Sequence, residues 1–304
     1  MKLEFSVVDV FTTRRYAGNP LAIVEGADDL SDAQMQTIAR EFNLSETIFI
    51  QKPARKRHAA RVRIFLPARE IPFAGHPTIG CAIHLALAAR RKKDKSDFRV
   101  ELVLEEQAGL VPVVVERKGG EISARFTAPV VPVVGAGARP DAATAAAALG
   151  LPVGEIGFDG HEVGLWQGGP SFVFVPVRSL DALGRARPCE PAWSAMANAS
   201  GSGAAYVYAR GDGRDAAFRA RMFSPGWGVA EDPATGAASA IFAAQLLAAG
   251  ELKEGTNAFG LAQGHEMGRP SQIGLEADVK GGKLTAVRVS GSSVKIARGR
   301  IRVP

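Results

Sequence analysis

Short apolar runs bounded by Gly, Pro, Asn and Asp alternate along the chain with two longer stretches rich in Ala, Leu and Ile. Runs of β-branched and aromatic residues predict strands over 3–10, 47–51, 62–65, 100–104 and 111–115. Residues 81–89 and 237–249 hold neither Gly nor Pro and predict apolar helices. Ser31-Asp-Ala-Gln34 places Ser31 to accept orphan N–H groups and Gln34 to return the bond, so a helix opens there and runs to about Glu41. A further helix over 142–149 stops at Gly150 and Pro152. The Gly-Gly pairs within 116–124 and 278–286 supply the positive φ angles of tight hairpin turns.

These signals recur in the same order in the two halves of the chain. Gly18-Asn-Pro20 ahead of Leu21-Ala-Ile-Val24 is echoed by Gly168-Gly-Pro170 ahead of Ser171-Phe-Val-Phe-Val175. Phe65-Leu-Pro67 followed by His76-Pro-Thr-Ile-Gly80 is echoed by Phe223-Ser-Pro225 followed by Asp232-Pro-Ala-Thr-Gly236, each with an apolar helix behind it. Two copies are too few for a solenoid, so the pattern predicts two homologous domains of an α+β fold, each a sheet curled around its apolar helix. The first covers residues 1–128, completed by a strand from about 290–304, and the second covers 129–289.

The composition, 46% hydrophobic and 22% charged, describes a globular chain. No apolar run approaches the about 18 residues needed to cross a bilayer, and the first ten residues carry charges where a secretory leader is apolar, so a cytoplasmic protein without membrane contact is expected. Thirty-seven Lys and Arg against 31 Asp and Glu give a net charge of +6, which favours an anionic small substrate. Only 7% of residues are aromatic and no nucleic-acid module is present, so no nucleic-acid partner is expected. The basic residues Arg55-Lys-Arg57, Arg61, Arg63, Arg90-Arg-Lys-Lys93 and Lys95 read as solvated. Cys81 and Cys189 read as small buried side chains, and the five histidines lack metal-ligand spacing. No nucleotide, phosphate or zinc motif occurs.

Both repeated turns place a polar residue before Pro with a helix behind. Such a helix start directs N–H groups and positive potential outward, towards a carboxylate or phosphate. If the two turns face each other across a domain interface, His76 and Asp232 line one cavity. Each also has a plainer role: a turn histidine bonded to the backbone, and a helix cap worth about 1 kcal/mol. Matched positions with different side chains argue for specialised function. Glu46, in Leu44-Ser-Glu-Thr47 ahead of a strand, has no carboxylate counterpart in the echo Gly203-Ala-Ala205 and is the one strong acid/base candidate. Tyr16, Trp166 and Trp227 are candidate pocket residues by position.

Taken together, Ala17-Gly-Asn-Pro-Leu-Ala-Ile-Val24, Asn43-Leu-Ser-Glu-Thr47, Arg63-Ile-Phe-Leu-Pro67, Ile71-Pro-Phe-Ala-Gly-His-Pro-Thr-Ile-Gly80, Glu231-Asp-Pro-Ala-Thr-Gly236 and Met267-Gly-Arg-Pro-Ser271 resemble the phenazine-biosynthesis isomerase (PhzF-like) family over nearly the whole chain. The resemblance implies the diaminopimelate-epimerase fold, two similar mixed β-barrel-like domains each around a central helix, with the site in the cleft between them. It also implies a homodimeric isomerase with no cofactor and no metal. Glu46 takes the family's general acid/base position, His76 and Asp232 contact the substrate and assist proton transfer, and main-chain groups around Gly75 and Gly236 hold its carboxylate. Asn19 and Ala237 complete the implied substrate-binding set. Ala237 stands where the family commonly has a serine, so a hydroxyl contact is absent there. The reaction expected is a proton shift on a small carboxylate. The alternatives are an epimerase or racemase with unlike acid/base partners, or a catalytically silent carboxylate-binding protein.

Overall fold

The computed structural model describes residues 1–91, 94–213 and 216–304. Lys92 and Lys93 of the basic run lie outside the described residues. The chain divides into two compact units, Met1–Pro129 with Val289–Pro304, and Val130–Arg288.

The first unit runs β1 (Lys2–Val10), β2 (Asn19–Val24), α1 (Asp32–Phe42), β3 (Glu46–Gln51), β4 (Ala60–Phe65), β5 (Glu70–Ile71), α2 (Gly75–Ala88), β6 (Phe98–Glu106), β7 (Gly109–Lys118) and β8 (Glu121–Thr127). Strand β1 pairs antiparallel with β2, β2 runs parallel to β3, β3 antiparallel to β4, β4 antiparallel to β5 and parallel to β6, and β6–β7–β8 form an antiparallel meander. Helix α2 packs against β1, β2, β3, β6, β7 and β8, so it is the central helix that the apolar run required. Its residues from Gly75 to Ile83 are all buried. Helix α1 opens on the capping box of Ser31 and Gln34 and ends on left-handed Asn43, burying Met35, Ile38 and Ala39.

The second unit repeats the plan: β9 (Val133–Val134), α3 (Ala142–Leu149), β10 (Gly164–Gln167), β11 (Ser171–Pro176), α4 (Leu180–Arg185), α5 (Ala192–Ser200), β12 (Ala205–Arg210), β13 (Phe218–Ser224), β14 (Val229–Asp232), α6 (Gly236–Ala248), β15 (Gly255–Gln263) and β16 (Ser271–Lys280). Strands β11 and β12 are parallel like β2 and β3, and β13 is antiparallel to β14 and parallel to β15 as β4 is to β5 and β6. The side chain of Phe242 on α6 lies 4.6 Å from the ring of Tyr208, 5.3 Å from Phe218 and 5.9 Å from Phe174, an aromatic core around the second helix. Strand β17 (Lys283–Gly291) closes a hairpin with positive φ at Gly281 and Gly282. The final strand β18 (Ser293–Arg302) belongs to the first unit, where it pairs antiparallel along β1 and also packs on α2.

This is a mixed, sheet-dominated α+β fold. Two sequence expectations are corrected. Arg63 is not solvated: Glu70 binds its guanidinium through Nε at 2.6 Å, and its side chain is only 14% exposed. Cys189 is half-buried, whereas Cys81 is fully buried on α2. Among the described residues, no helix is long and apolar enough to cross a membrane.

Candidate functional site

Strands β2 and β3 start side by side, with Leu21 opposite Glu46. Asn19 at the head of β2 and Glu46 at the head of β3 therefore occupy one end of a parallel pair. The first turn of α2 comes to the same end, because its extended N-cap residue Ala74 is followed by Gly75, His76 and Pro77. No side chain caps this helix start, which leaves its N-terminal potential directed outward.

The amide Nδ2 of Asn19 lies 3.2 Å from Nδ1 of His76, and Nε2 of His76 lies 3.4 Å from Oε2 of Glu46. The tautomer sets the roles at Nδ1: with Asn19 donating there, the ring proton lies on Nε2, the nitrogen facing Glu46, and with the Pro20 carbonyl accepting there, it lies on Nδ1. His76 is 3% exposed and Asn19 fully buried, while the Glu46 side chain retains 14% exposure. Burial pushes the imidazole down to about 3, opposed by a hydrogen bond to the Pro20 carbonyl. His76 is consequently a neutral donor near neutral pH. The structure thus brings together Asn19, Glu46, Gly75 and His76 of the predicted set.

In the second unit Asp232 is the last residue of β14 and 6% exposed. The Thr235 hydroxyl donates to its Oδ2 at 2.6 Å. Gln263 on β15 clamps the same turn, donating from Nε2 to the Asp232 carbonyl at 2.7 Å and accepting from the Thr235 N–H at 3.1 Å. The Ser271 hydroxyl donates to the Pro233 carbonyl at 2.8 Å. Helix α6 then opens at Gly236, again without a side-chain cap, with Ala237 half-buried behind it. Asp232, Gly236 and Ala237 are therefore grouped at one helix start.

Residues 8–299 match the family described as phenazine biosynthesis-like protein. An uncharacterised isomerase of Mesorhizobium japonicum is 44% identical over 302 residues, covering 98% of either chain. The trans-2,3-dihydro-3-hydroxyanthranilate isomerase of Pseudomonas aeruginosa is 37% identical over 297 residues, again 98% of each. The chain belongs to the phenazine biosynthesis-like protein family. It is an enzyme of an isomerase and epimerase family that acts on small substrates. A Bacillus anthracis phenazine biosynthesis protein of the PhzF family shares the fold, with a TM-score of 0.84, 23% identity and full coverage of both chains.

Within this family fold, the helix starts correct the equivalence of the two turns. Glu70 and Glu231 stand at matching places ahead of α2 and α6, and each binds an arginine of the preceding strand, Arg63 or Arg221, through both guanidinium Nε and a terminal nitrogen. The position equivalent to His76 is therefore Ala237, and that equivalent to Asp232 is Ile71. Pro72-Phe-Ala-Gly75 and Pro77-Thr-Ile-Gly80 carry the same spacing in the first half, and only the helix start tells them apart. The counterpart of Glu46 is Ala204, because Thr47 opposite Phe65 matches Ala205 opposite Phe223. At these matched positions imidazole and glutamate thus stand in the first unit, and the carboxylate of Asp232 stands at a different point of the second unit's turn.

Sequence reasoning missed Thr235 and Gln263 as the supports of Asp232, and no local motif marks Gln263. Of the positional pocket candidates, Tyr16 is 74% exposed, and the Trp166 indole donates to Gln245 at 2.7 Å inside the second unit. Trp227 lines a separate cavity of about 650 Å³ with Trp193 and Glu190, which includes none of the predicted site residues.

Proposed function

We propose that this enzyme is a cofactor-independent isomerase that shifts a proton on a small carboxylate, with Glu46 as general acid/base. The observation that carries the proposal is the convergence of Glu46 with a buried, neutral His76 oriented by Asn19. A carboxylate that removes a proton from carbon and returns it elsewhere on the same face needs no second base. What it needs is stabilisation of the negative charge that develops on the substrate. In its Nε2–H tautomer His76, together with the uncapped start of α2 at Gly75, supplies donors suited to that charge. Asp232, held by Thr235, and the main chain at Gly236 and Ala237 are the contribution assigned to the second unit. The proposal requires both groups of residues to act on one substrate bound between the units. The activity named for the Pseudomonas aeruginosa relative points to small cyclic amino carboxylates as the substrate class, and the resemblance extends the proposal to a cytoplasmic homodimer.

Glu46→Gln is expected to lower kcat by at least about 10²–10⁴-fold while leaving substrate affinity nearly unchanged. Near-normal turnover in that variant overturns the assignment. A second carboxylate at Asp232 favours one competing reading, an epimerase with unlike partners. Reaction in D2O separates the two: label incorporated with inversion at a stereocentre supports the epimerase, and label at a relocated double bond supports the isomerase. Asp232→Asn then shows whether the second carboxylate transfers protons or only orients the substrate.

A further inference from the structure

Glu106 is the last residue of β6, and its side chain turns to the interior of the first unit. Around it, the inward residues of β6, β7 and β8 are apolar: Leu104, Val111, Val113, Ala124 and Phe126 are all buried. A carboxyl group in such surroundings needs a partner, and α2 provides Thr78. The Thr78 hydroxyl lies 2.7 Å from Glu106 Oε1 and 2.8 Å from the carbonyl of Ala74, the N-cap residue of the helix.

A hydroxyl has one proton and two acceptors stand before it. If Thr78 donates to Ala74, the contact with Glu106 closes only when Glu106 is the donor, as a neutral carboxylic acid. If Thr78 donates to an ionised Glu106, the Ala74 carbonyl keeps the Thr78 N–H at 3.2 Å but faces a hydroxyl lone pair. The acid form alone satisfies both contacts. Among the described residues Glu106 Oε2 has no hydrogen-bond partner, so ionisation would also leave a buried charge half satisfied. The titratable group that α2 turns to this region is Cys81, whose thiol is itself pushed up by burial and by the fields of Glu106 and Glu25.

We propose that Glu106, in its neutral acid form, is a positioning residue that fixes the first turn of α2 through Thr78 and so holds the imidazole of His76 in place. The link to turnover rests on the reading of His76 given above, and the positioning itself does not. Burial pushes the Glu106 carboxyl up to about 8, against a Thr78 hydroxyl able to donate to the ionised form, so as the pH rises past that value the hydroxyl is expected to turn from the Ala74 carbonyl to Glu106 and the strut to the helix start to fail.

The test follows the side-chain resonances of His76 by NMR, together with kcat where a substrate is available, from pH 6 to 10 in wild type, E106Q and Thr78→Val. Glutamine keeps a neutral donor for Thr78 and cannot ionise. In wild type the His76 resonances are expected to move, and kcat to fall, with a midpoint near the value of about 8 to which burial lifts Glu106. His76 cannot cause that step, because its own titration lies near 3. In E106Q the step is expected to vanish with turnover retained, and in Thr78→Val the His76 resonances are expected at the high-pH position throughout. Resonances that are pH-invariant in wild type, or that move identically in E106Q, overturn the proposal. An NMR step with no turnover on any carboxylate tested supports the positioning role and counts against the functional reading instead. Should E106Q not fold, the wild-type step against the Thr78→Val baseline decides.

Discussion

Burial keeps His76 neutral and also makes it a liability in acid. Its imidazole, ordinarily near 6.5, titrates near 3 in the folded protein. Between those values the unfolded chain takes up a proton that the folded one refuses, so this contribution to stability is complete above 6.5 and is lost as the pH falls towards 3. The loss amounts to at most about 1.4 kcal/mol per pH unit. His76→Gln is expected to flatten the dependence of the urea midpoint on pH across that window; an unchanged acid limb would refute the assignment. Glu106 works with the opposite sign. Its carboxyl rises from 4.5 to about 8, so its contribution is full below 4.5 and declines as the pH rises to 8. Where the windows overlap, the two slopes oppose each other. Glu46, His76 and Asp232 stood out in the sequence because each breaks an apolar or turn pattern with a reactive group. Glu106 did not, because Glu105 and Glu106 are neighbours on a strand and must face opposite sides, and nothing local says which faces in.

Helix α2 begins at Gly75, well ahead of the apolar stretch that announced it. The sequence places Pro77 in its first turn, which such a proline suits, but reads Asp232-Pro233 as the matching start, whereas α6 opens only at Gly236. By contrast α1, α3 and the apolar body of α6 came out of capping and composition nearly to the residue, as did the hairpin at Gly119 and Gly120. Helices α4 and α5 were not legible: each is short, and α5 buries only Trp193, Met196 and Ser200, too few positions to set a period. The site depends on how closely α2 approaches the sheet. A Cβ at Gly80 would meet Leu21 Cδ2 at 2.7 Å and Val10 Cγ2 at 2.8 Å, both on the strand pair that leads to Asn19. Gly80→Ala is therefore expected to cost about 1–3 kcal/mol in a denaturant titration and to raise KM by displacing the helix start. A neutral effect on both would mean that the strands give way without disturbing His76.

The two units repeat one order of strands, and the matched pairs Arg63–Glu70 and Arg221–Glu231 mark the same joint in each. Only the first unit is built from separated parts of the chain. All three tryptophans, Trp166, Trp193 and Trp227, lie in the second. A chain ending at Arg288 lacks β18 and is expected to lose strand signal in circular dichroism while its tryptophan emission stays at the native wavelength. A red shift like that in urea would show that Val130–Arg288 does not stand without the last strand. The pairing of β1 with β18 also sets an order of events during synthesis. The lobe whose first strand leaves the ribosome earliest is completed last. At roughly 5–20 residues per second, β1 waits about 15–60 s for its partner. For that interval a bare β edge sits on the nascent polypeptide, and a chaperone that shields extended segments would find its target there rather than in the later-made lobe.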